Sequence, residues 1–305
     1  MKYYPEGITF FNRKFESADE IRTAISTGEI IEGRVLLCDK EHNLHIDLGI
    51  MSGIVPRCEG AMGIEENTVR DIALISKVNK PIVFRIVDIS ADEYGNPYAV
   101  LSRRVVQAEC MRDYISRLDL GDIICAKVTH LEPFGAFIDI GAGINSLIPI
   151  DMLSVSRISH PSERVYPGQI IRTVLKKKEN GKMTFSLKEL LGTWQENADR
   201  FSVGETVTGI VRSVEEYGVF VELAPNLTGL AEPYYDVKAG QKVSVYIKSI
   251  LPEKMKVKLV IVDTFDETES DSDRELNYFV NDEHISKWKF SPENANKTVE
   301  YDFTK

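Results

Sequence analysis

The feature that most constrains this chain is a threefold internal repeat. The first copy reads Gly28-Glu-Ile-Ile-Glu-Gly-Arg-Val35, followed by Leu44-His-Ile-Asp-Leu-Gly49. The second reads Gly121-Asp-Ile-Ile-Cys-Ala-Lys-Val128, followed by Phe134-Gly-Ala-Phe-Ile-Asp-Ile-Gly141. The third reads Gly204-Glu-Thr-Val-Thr-Gly-Ile-Val211, followed by Tyr217-Gly-Val-Phe-Val-Glu-Leu223. The acidic residue lies 19, 18 and 18 positions beyond the opening glycine, at Asp47, Asp139 and Glu222. The opening glycines are 93 and then 83 residues apart, so each copy is a small domain and not one layer of a solenoid.

Within a copy the hydrophobic period is two. Ile124, Ala126 and Val128 alternate with Cys125 and Lys127; Ile138 and Ile140 alternate with Phe137 and Asp139; Met183, Phe185 and Leu187 alternate with Lys182, Thr184 and Ser186. That period describes half-buried strands with one face on a core. Asn180-Gly181 suits a tight hairpin turn, since both residues tolerate positive φ. About five short strands around one core predict a closed Greek-key barrel, because closure removes exposed strand edges. The fold class is therefore all-β, with three tandem five-stranded barrels.

Between the copies the period becomes helical. Ser17-Ala-Asp-Glu20 matches a capping box opening a helix through Ile25. Val105 to Leu118 and Lys188 to Phe201 predict helical links. The expected organisation is an N-terminal extension over 1–26, repeats over 27–105, 119–190 and 203–263, linkers over 106–118 and 191–202, and an acidic extension over 264–305. Within that extension, 263–273 is dense in acids and reads as a solvated linker, whereas Tyr278, Phe279, Trp288 and Phe290 suggest a docking segment. The extension serves solubility, or it competes weakly for a basic groove with Trp288 and Phe290 adding stacking.

Charge narrows the function. The chain is net −10, with 37 basic and 47 acidic residues, which excludes an indiscriminate polyanion binder. Residues 120–190 nonetheless hold 9 basic and 7 acidic residues, so the middle of the chain is where a polyanion would bind. No run approaches the roughly 18 apolar residues of a membrane helix, and no apolar leader opens the sequence. Cys38, Cys58, Cys110 and Cys125 are irregularly spaced without a Cys-x-x-Cys pair, which fits a reducing, cytoplasmic setting and predicts no metal site.

An enzyme is not expected. The five histidines lack metal-ligand spacing, and neither a nucleophile elbow nor a phosphate loop is present. His160-Pro-Ser-Glu163 reads as a capped turn, and His45 as a surface residue alternating with Ile46. No cofactor is predicted.

Nucleic-acid chemistry is better represented. Phe137 falls on the wet face of its strand beside Asp139, and Phe134 lies three residues earlier. Positions i and i+3 of a regular strand face opposite ways, so a bulge or kink at Gly135 is expected to bring both rings to one surface. Tyr217, Gly218 and Phe220 repeat the arrangement. With Ile171, Thr173 and Leu175 inward, Arg172 and Lys176 point outward; Lys178 and Lys182 flank the following hairpin. In the third copy, Val243, Val245 and Ile247 inward leave Tyr246 and Lys248 outside, and Lys256 matches Lys182. Aromatics interleaved with cations are what capture of unpaired bases requires: π-faces for bases and charges for phosphates.

These motifs resemble the S1 RNA-binding domain, an OB-fold module. The resemblance rests on Phe134-Gly-Ala-Phe-Ile-Asp-Ile140, Pro167-Gly-Gln169 and Lys182-Met-Thr-Phe-Ser-Leu-Lys188. The tandem array and the insert Arg157-Ile-Ser-His-Pro-Ser-Glu163 resemble the ribosomal protein S1 family, over about 27–263. The resemblance places RNA-facing aromatics at Phe134, Phe137, Tyr217 and Phe220, and the last-strand basic residue at Lys182 and Lys256. The family's histidine is replaced by Pro149 and Glu232, and the aspartate before the last hairpin by Lys178 and Pro252. In the first copy, His42 and His45 hold the aromatic positions and Pro56 the histidine position, which implies lost stacking and a protein-docking role, with the small ribosomal subunit as partner.

The expectation is a cytoplasmic protein that captures single-stranded RNA, chiefly mRNA, through its second and third barrels in translation. The other reading is an accessory subunit of RNA processing or transcription whose barrels dock on protein.

Overall fold

The computed structural model describes residues 3–9, 11–179, 181–268 and 275–304. It divides into two compact units, one of residues 1–118 with 139–145, the other of 119–138 with 146–305.

The first unit opens with helix α1 (Ala18–Thr27). Ser17 Oγ accepts the N–H of Glu20, and Gly28 ends the helix at φ 61°. The Glu20 carboxylate reaches back to the N–H of Glu16 rather than to Ser17, a variation on the capping box. Five strands follow: β1 (Ile31–Cys38), β2 (Leu44–Asp47), β3 (Ser52–Val55), β4 (Pro81–Ala91) and β5 (Pro97–Ser102). They close in the order β1-β2-β3-β5-β4. A four-residue helix, α2 (Ile72–Ile75), lies in the long β3–β4 connection. Val35, Leu44, Ile46, Phe84 and Leu101 fill the barrel. Phe15 is buried in the same core, and its backbone runs so close to Gly49 (φ 98°) that a Cβ there would lie 2.6 Å from the Phe15 carbonyl oxygen. Helix α3 (Arg103–Asp113) starts on the Ser102 cap, two residues before the predicted start, and gives way to a 3₁₀ turn at Ile115–Arg117.

The second unit carries the other two barrels. One is built of β6 (Ile123–Glu132), β7 (Gly135–Asp139), β8 (Asn145–Pro149), β9 (Ile170–Glu179) and β10 (Lys182–Ser186), in the order β10-β8-β7-β6-β9. Glu179 pairs with Lys182 across the hairpin, where Gly181 has φ 73°; Asn180 lies outside the described residues. The expected Lys188–Phe201 helix is broken. A 3₁₀ turn at Lys188–Leu190 and helix α4 (Trp194–Ala198) flank Gly192, whose φ of 82° no helix accommodates. The last barrel is β11 (Thr206–Glu215), β12 (Gly218–Ala224), β13 (Leu227–Ala231), β14 (Gln241–Leu251) and β15 (Lys256–Thr268), ordered β11-β12-β13-β15-β14. The three closed five-stranded barrels are the tandem OB-fold array expected from the period-two pattern.

Two expectations fail in the C-terminal extension. The acid-rich stretch is not linker throughout, because β15 continues to Thr268 and pairs there with Gln241; residues 269–274 lie outside the described residues. Trp288 and Phe290 are not available for stacking on RNA. They are 7% and 5% exposed and share a core with Val174, Trp194 and Val219. The short strands β16 (Lys287–Lys289) and β17 (Glu300–Asp302) pair to hold them there. Upstream, the Ile123 N–H donates to Glu283 O at 2.8 Å and the Ile285 N–H to Gly121 O at 2.9 Å, so the segment also lies along the start of β6.

Candidate nucleic-acid interface

Phe134 is 56% exposed and meets half-buried Phe137 edge to face, at 6.0 Å between centroids and 81° between planes. Tyr217, 64% exposed, meets Phe220 at 6.1 Å and 88°. The two ring pairs are offset by 83 residues, the repeat distance itself. Each leading ring sits in the hairpin turn before its strand, so the i, i+3 rule for a regular strand does not apply. The glycine between the rings serves close approach. A Cβ on Gly135 would lie 2.4 Å from Ile148 O, and one on Gly218 2.4 Å from Ala231 O. The bulge expected at this glycine lies in the third barrel on the partner strand, where Val211 pairs with Val221 and Ser213 with Phe220, leaving Arg212 between them.

His130 is a residue that the strand pattern missed. Its imidazole stacks on Phe137 at 4.3 Å and 8°, extending the aromatic surface by one ring. The signal was the same 83-residue offset, since His130 corresponds to Ser213, the cross-strand partner of Phe220. Lys258 was also missed. Phe220 pairs with Leu230, and Leu230 with Lys258, so one row across β12, β13 and β15 runs from ring to exposed cation. Lys256, two residues earlier, is exposed on the same face of β15. Lys182 and Lys178 are exposed on the β9–β10 hairpin.

The fourth strand of the second barrel corrects the expectation, whereas in the third barrel Tyr246 and Lys248 are exposed as expected. Lys176 does not point into solvent. Lys177 pairs with Thr184 and Leu175 with Phe185, which leaves Lys176 in a bulge and turns it inward, to 4% exposure. Its Nζ meets the Glu189 carboxylate and lies 3.4 Å from the centroid of Tyr301. Burial pushes its pKa down while Glu189 holds it up. Arg172 is half-buried and occupied: its backbone N–H donates to Tyr278 Oη at 2.9 Å, and its guanidinium donates to the carbonyls of Val280, Asn281 and Asp282. Both side chains anchor the C-terminal segment. Tyr246 is partly exposed, but it lies with Lys248 on β14, which borders β11 and β15 and not the ring-bearing β12. Lys248 pairs with Glu232 at 2.9 Å.

Asp139 also departs from the pattern. It is buried rather than beside Phe137 on the wet face, with Oδ1 accepting the N–H groups of Gly141 and Gly143 and Oδ2 that of Glu6. The loop that it organises, 139–145, is part of the first unit. In that unit, His45 is 2.9 Å from Asp39 and His42 is 4.0 Å from Asp71, so the first barrel's ring positions hold imidazoles beside carboxylates.

In the second unit, Glu222 occupies the position of Asp139. It is chelated by Arg164 at 2.9 and 2.8 Å and by Arg212 at 2.9 and 3.1 Å. Burial alone would raise its pKa; the two guanidinium groups outweigh that and hold it low. Glu163 adds a fourth charge by meeting Arg212 at 2.9 Å, while its other oxygen caps the His160 turn. His160-Pro-Ser-Glu163 is thus a capped turn, as expected, and it also fixes the second barrel's insert against the third barrel. The Val155 N–H donates to Asn226 Oδ1 at 3.0 Å and the Ser156 N–H to Pro225 O at 3.1 Å. A cleft of about 490 Å³ opens between this insert and the Tyr217–Phe220 pair.

No group of histidine, cysteine and carboxylate side chains among the described residues could hold a metal ion. The four cysteines are free thiols, and no helix among the described residues is long and apolar enough to cross a membrane.

Comparison with known proteins bears on the same segment. A family model described as the S1 RNA binding domain matches residues 117–188. Small ribosomal subunit protein bS1 of Leuconostoc lactis is 26% identical over 254 residues, covering 77% of this chain and 57% of that protein. The bS1 homolog of Bacillus subtilis (strain 168) is 27% identical over 259 residues, covering 79% and 65%. The bS1 protein of Staphylococcus aureus (strain COL) is 29% identical over 289 residues, covering 88% and 71%. The chain therefore spans 57% and 65% of the length of the first two relatives.

Proposed function

We propose, for a chain that belongs with the ribosomal protein S1 family, that the second and third barrels capture single-stranded RNA, chiefly mRNA, and hold it for translation. The observation that carries this reading is the repetition of one edge-to-face ring pair, at 6.0 and 6.1 Å, in two barrels 83 residues apart. A T-shaped pair with its leading ring in solvent leaves a π-face open to a base. Base stacking on such rings tolerates any sequence, which suits a protein that handles many messages. Lys178 and Lys182 on the β9–β10 hairpin, and Lys256 and Lys258 on β15, are exposed cations that supply phosphate contacts in this reading. The mechanism is capture and retention in the cytoplasm. It assigns no bond-making step and no cofactor to this chain.

The first barrel has a different part in this scheme. His45 is held at 2.9 Å from Asp39 and His42 lies 4.0 Å from Asp71, while Leu36, Leu37 and Ile50 are exposed. We assign it to protein contact, with the small ribosomal subunit as the partner that the relatives' names indicate.

The test is a fluorescence titration of single-stranded RNA with the Phe134→Ala/Phe137→Ala variant. Loss of about 1–3 kcal/mol per abolished stack is expected, with the melting temperature near that of the parent because the leading ring is exposed. Unchanged affinity in a folded variant overturns the assignment.

A further inference from the structure

The cleft beside Tyr217 and Phe220 is also lined by Arg157 and Ser159 of the second barrel's insert and by Trp194 and Phe290. Its volume of about 490 Å³ falls within the range of small-ligand sites. Resting on the RNA-binding reading above, we propose that this cleft is a nucleotide subsite built jointly by the two barrels, in which Arg157 takes the phosphate and Glu215 accepts from the base edge.

The assignment follows from which polar groups in the cleft are already engaged. Arg212 lines it, but its guanidinium is committed to Glu222 and Glu163. Arg157 is exposed on the insert and is the cation left to meet an anion there. Glu215 is the informative residue. An ionised carboxylate only accepts hydrogen bonds, and it repels phosphate. In a cleft that receives a polyanion, it is placed to receive donors, and the Watson–Crick edge of every base offers an N–H group. The nucleotide is thereby oriented: phosphate toward the insert, ring against Tyr217 and Phe220, edge toward Glu215. The insert is held for this task by the buried Arg164–Glu222 pair and by Thr228 Oγ1 donating to Ser156 Oγ at 2.7 Å.

Three variants of the full chain test this by RNA titration across a salt series. Arg157→Ala removes an exposed side chain and should weaken binding several-fold. It should also flatten the slope of log K against log salt by about 0.7, the value for one phosphate contact on a single strand. Ser159→Trp fills the cleft and should weaken binding by a similar factor. Glu215→Ala should weaken binding although it removes a negative charge, because a carboxylate that merely repels RNA would give tighter binding on removal. Binding that is unchanged in Arg157→Ala and Ser159→Trp, or tighter in Glu215→Ala, overturns the subsite. If those results come with the loss expected for Phe134→Ala/Phe137→Ala, the wider RNA reading stands. A parent protein that binds no single-stranded RNA at low salt overturns both.

Discussion

Asp47, Asp139 and Glu222 occupy one position of the repeat and meet three different electrostatic fates. Asp47 stays at the surface beside Lys14, whose ammonium holds its carboxyl below the usual range. Glu222 is buried between two guanidinium groups and stays ionised. Asp139 is pushed up to about 6 by burial and then by the Glu6 carboxylate, against the backbone N–H groups that it accepts. Glu6 is itself buried, but Arg103 and Lys77 bring it down to about 2. These shifts have opposite signs in stability. Folded Asp139 binds a proton more tightly than the unfolded chain does, so its contribution is full below its ordinary value of 3.8 and is lost as pH rises toward 6. Glu6 contributes above its ordinary value of 4.5 and loses that contribution as pH falls toward 2. The first unit should therefore be most stable at about pH 4–5. Urea midpoints measured from pH 3 to 7 check this, with carboxyl ¹³C shifts assigning the groups. A midpoint flat between pH 4 and 6 contradicts the raised Asp139. The sequence places an acid at each position, but the difference comes from partners far away in the chain, Glu6 and Arg164, which no local period reveals.

At the scale of elements, the barrel strands were readable because one side of each faces a core, and alternation records that directly. What escaped reading were the places where alternation slips. A bulge at Lys176 moves one side chain by one phase and converts an expected RNA contact into a buried ion pair with Glu189. The bulge beside Ser213 lies on the strand opposite the motif glycine, so the motif alone could not locate it. The C-terminal hairpin was harder still, since β16 and β17 have three residues each and carry no measurable period. Its aromatics signalled docking but not the place. That place changes the expected effect of removing the segment. Trp288, Phe290 and Phe303 belong to the core that includes Trp194 and Val243, and Tyr301 covers the Lys176 ammonium. Trp288→Ala should therefore cost about 3–5 kcal/mol, the usual cost of truncating a buried large aromatic. Thermal or urea unfolding of the full chain reads this directly. A loss below about 1 kcal/mol would mean that the hairpin is a surface appendage, as in the competitor role suggested by its charge.

Over the whole molecule, a net charge of −10 means that RNA captured as proposed above would be held by local surfaces and not by a general field. The second unit joins two such surfaces. Its ring pairs belong to barrels tied by Arg164, Glu222, Arg212 and Glu163, with Asn226 clasping the insert through its side-chain oxygen and donating to Lys188 O and Gly192 O through its amide nitrogen. On the proposed reading, barrels joined in this way would present two weak sites at a fixed spacing, and the second contact would then be intramolecular. Such coupling multiplies affinity without any new contact, provided that the strand is long enough to reach both sites. The affinity of the parent for homopolymeric RNA should therefore rise steeply at one threshold length and slowly beyond it. In Tyr217→Ala/Phe220→Ala the step should vanish, leaving the affinity of the second barrel alone at every length. Adding Phe134→Ala/Phe137→Ala should reduce binding to a weak, salt-sensitive remainder, because the first unit offers imidazoles beside carboxylates where the other barrels offer open rings. A series of oligonucleotides titrated at two salt concentrations checks all three outcomes. If the step survives in the Tyr217→Ala/Phe220→Ala variant, the second contact comes from elsewhere in the chain, and the pairing of the two ring sites is wrong.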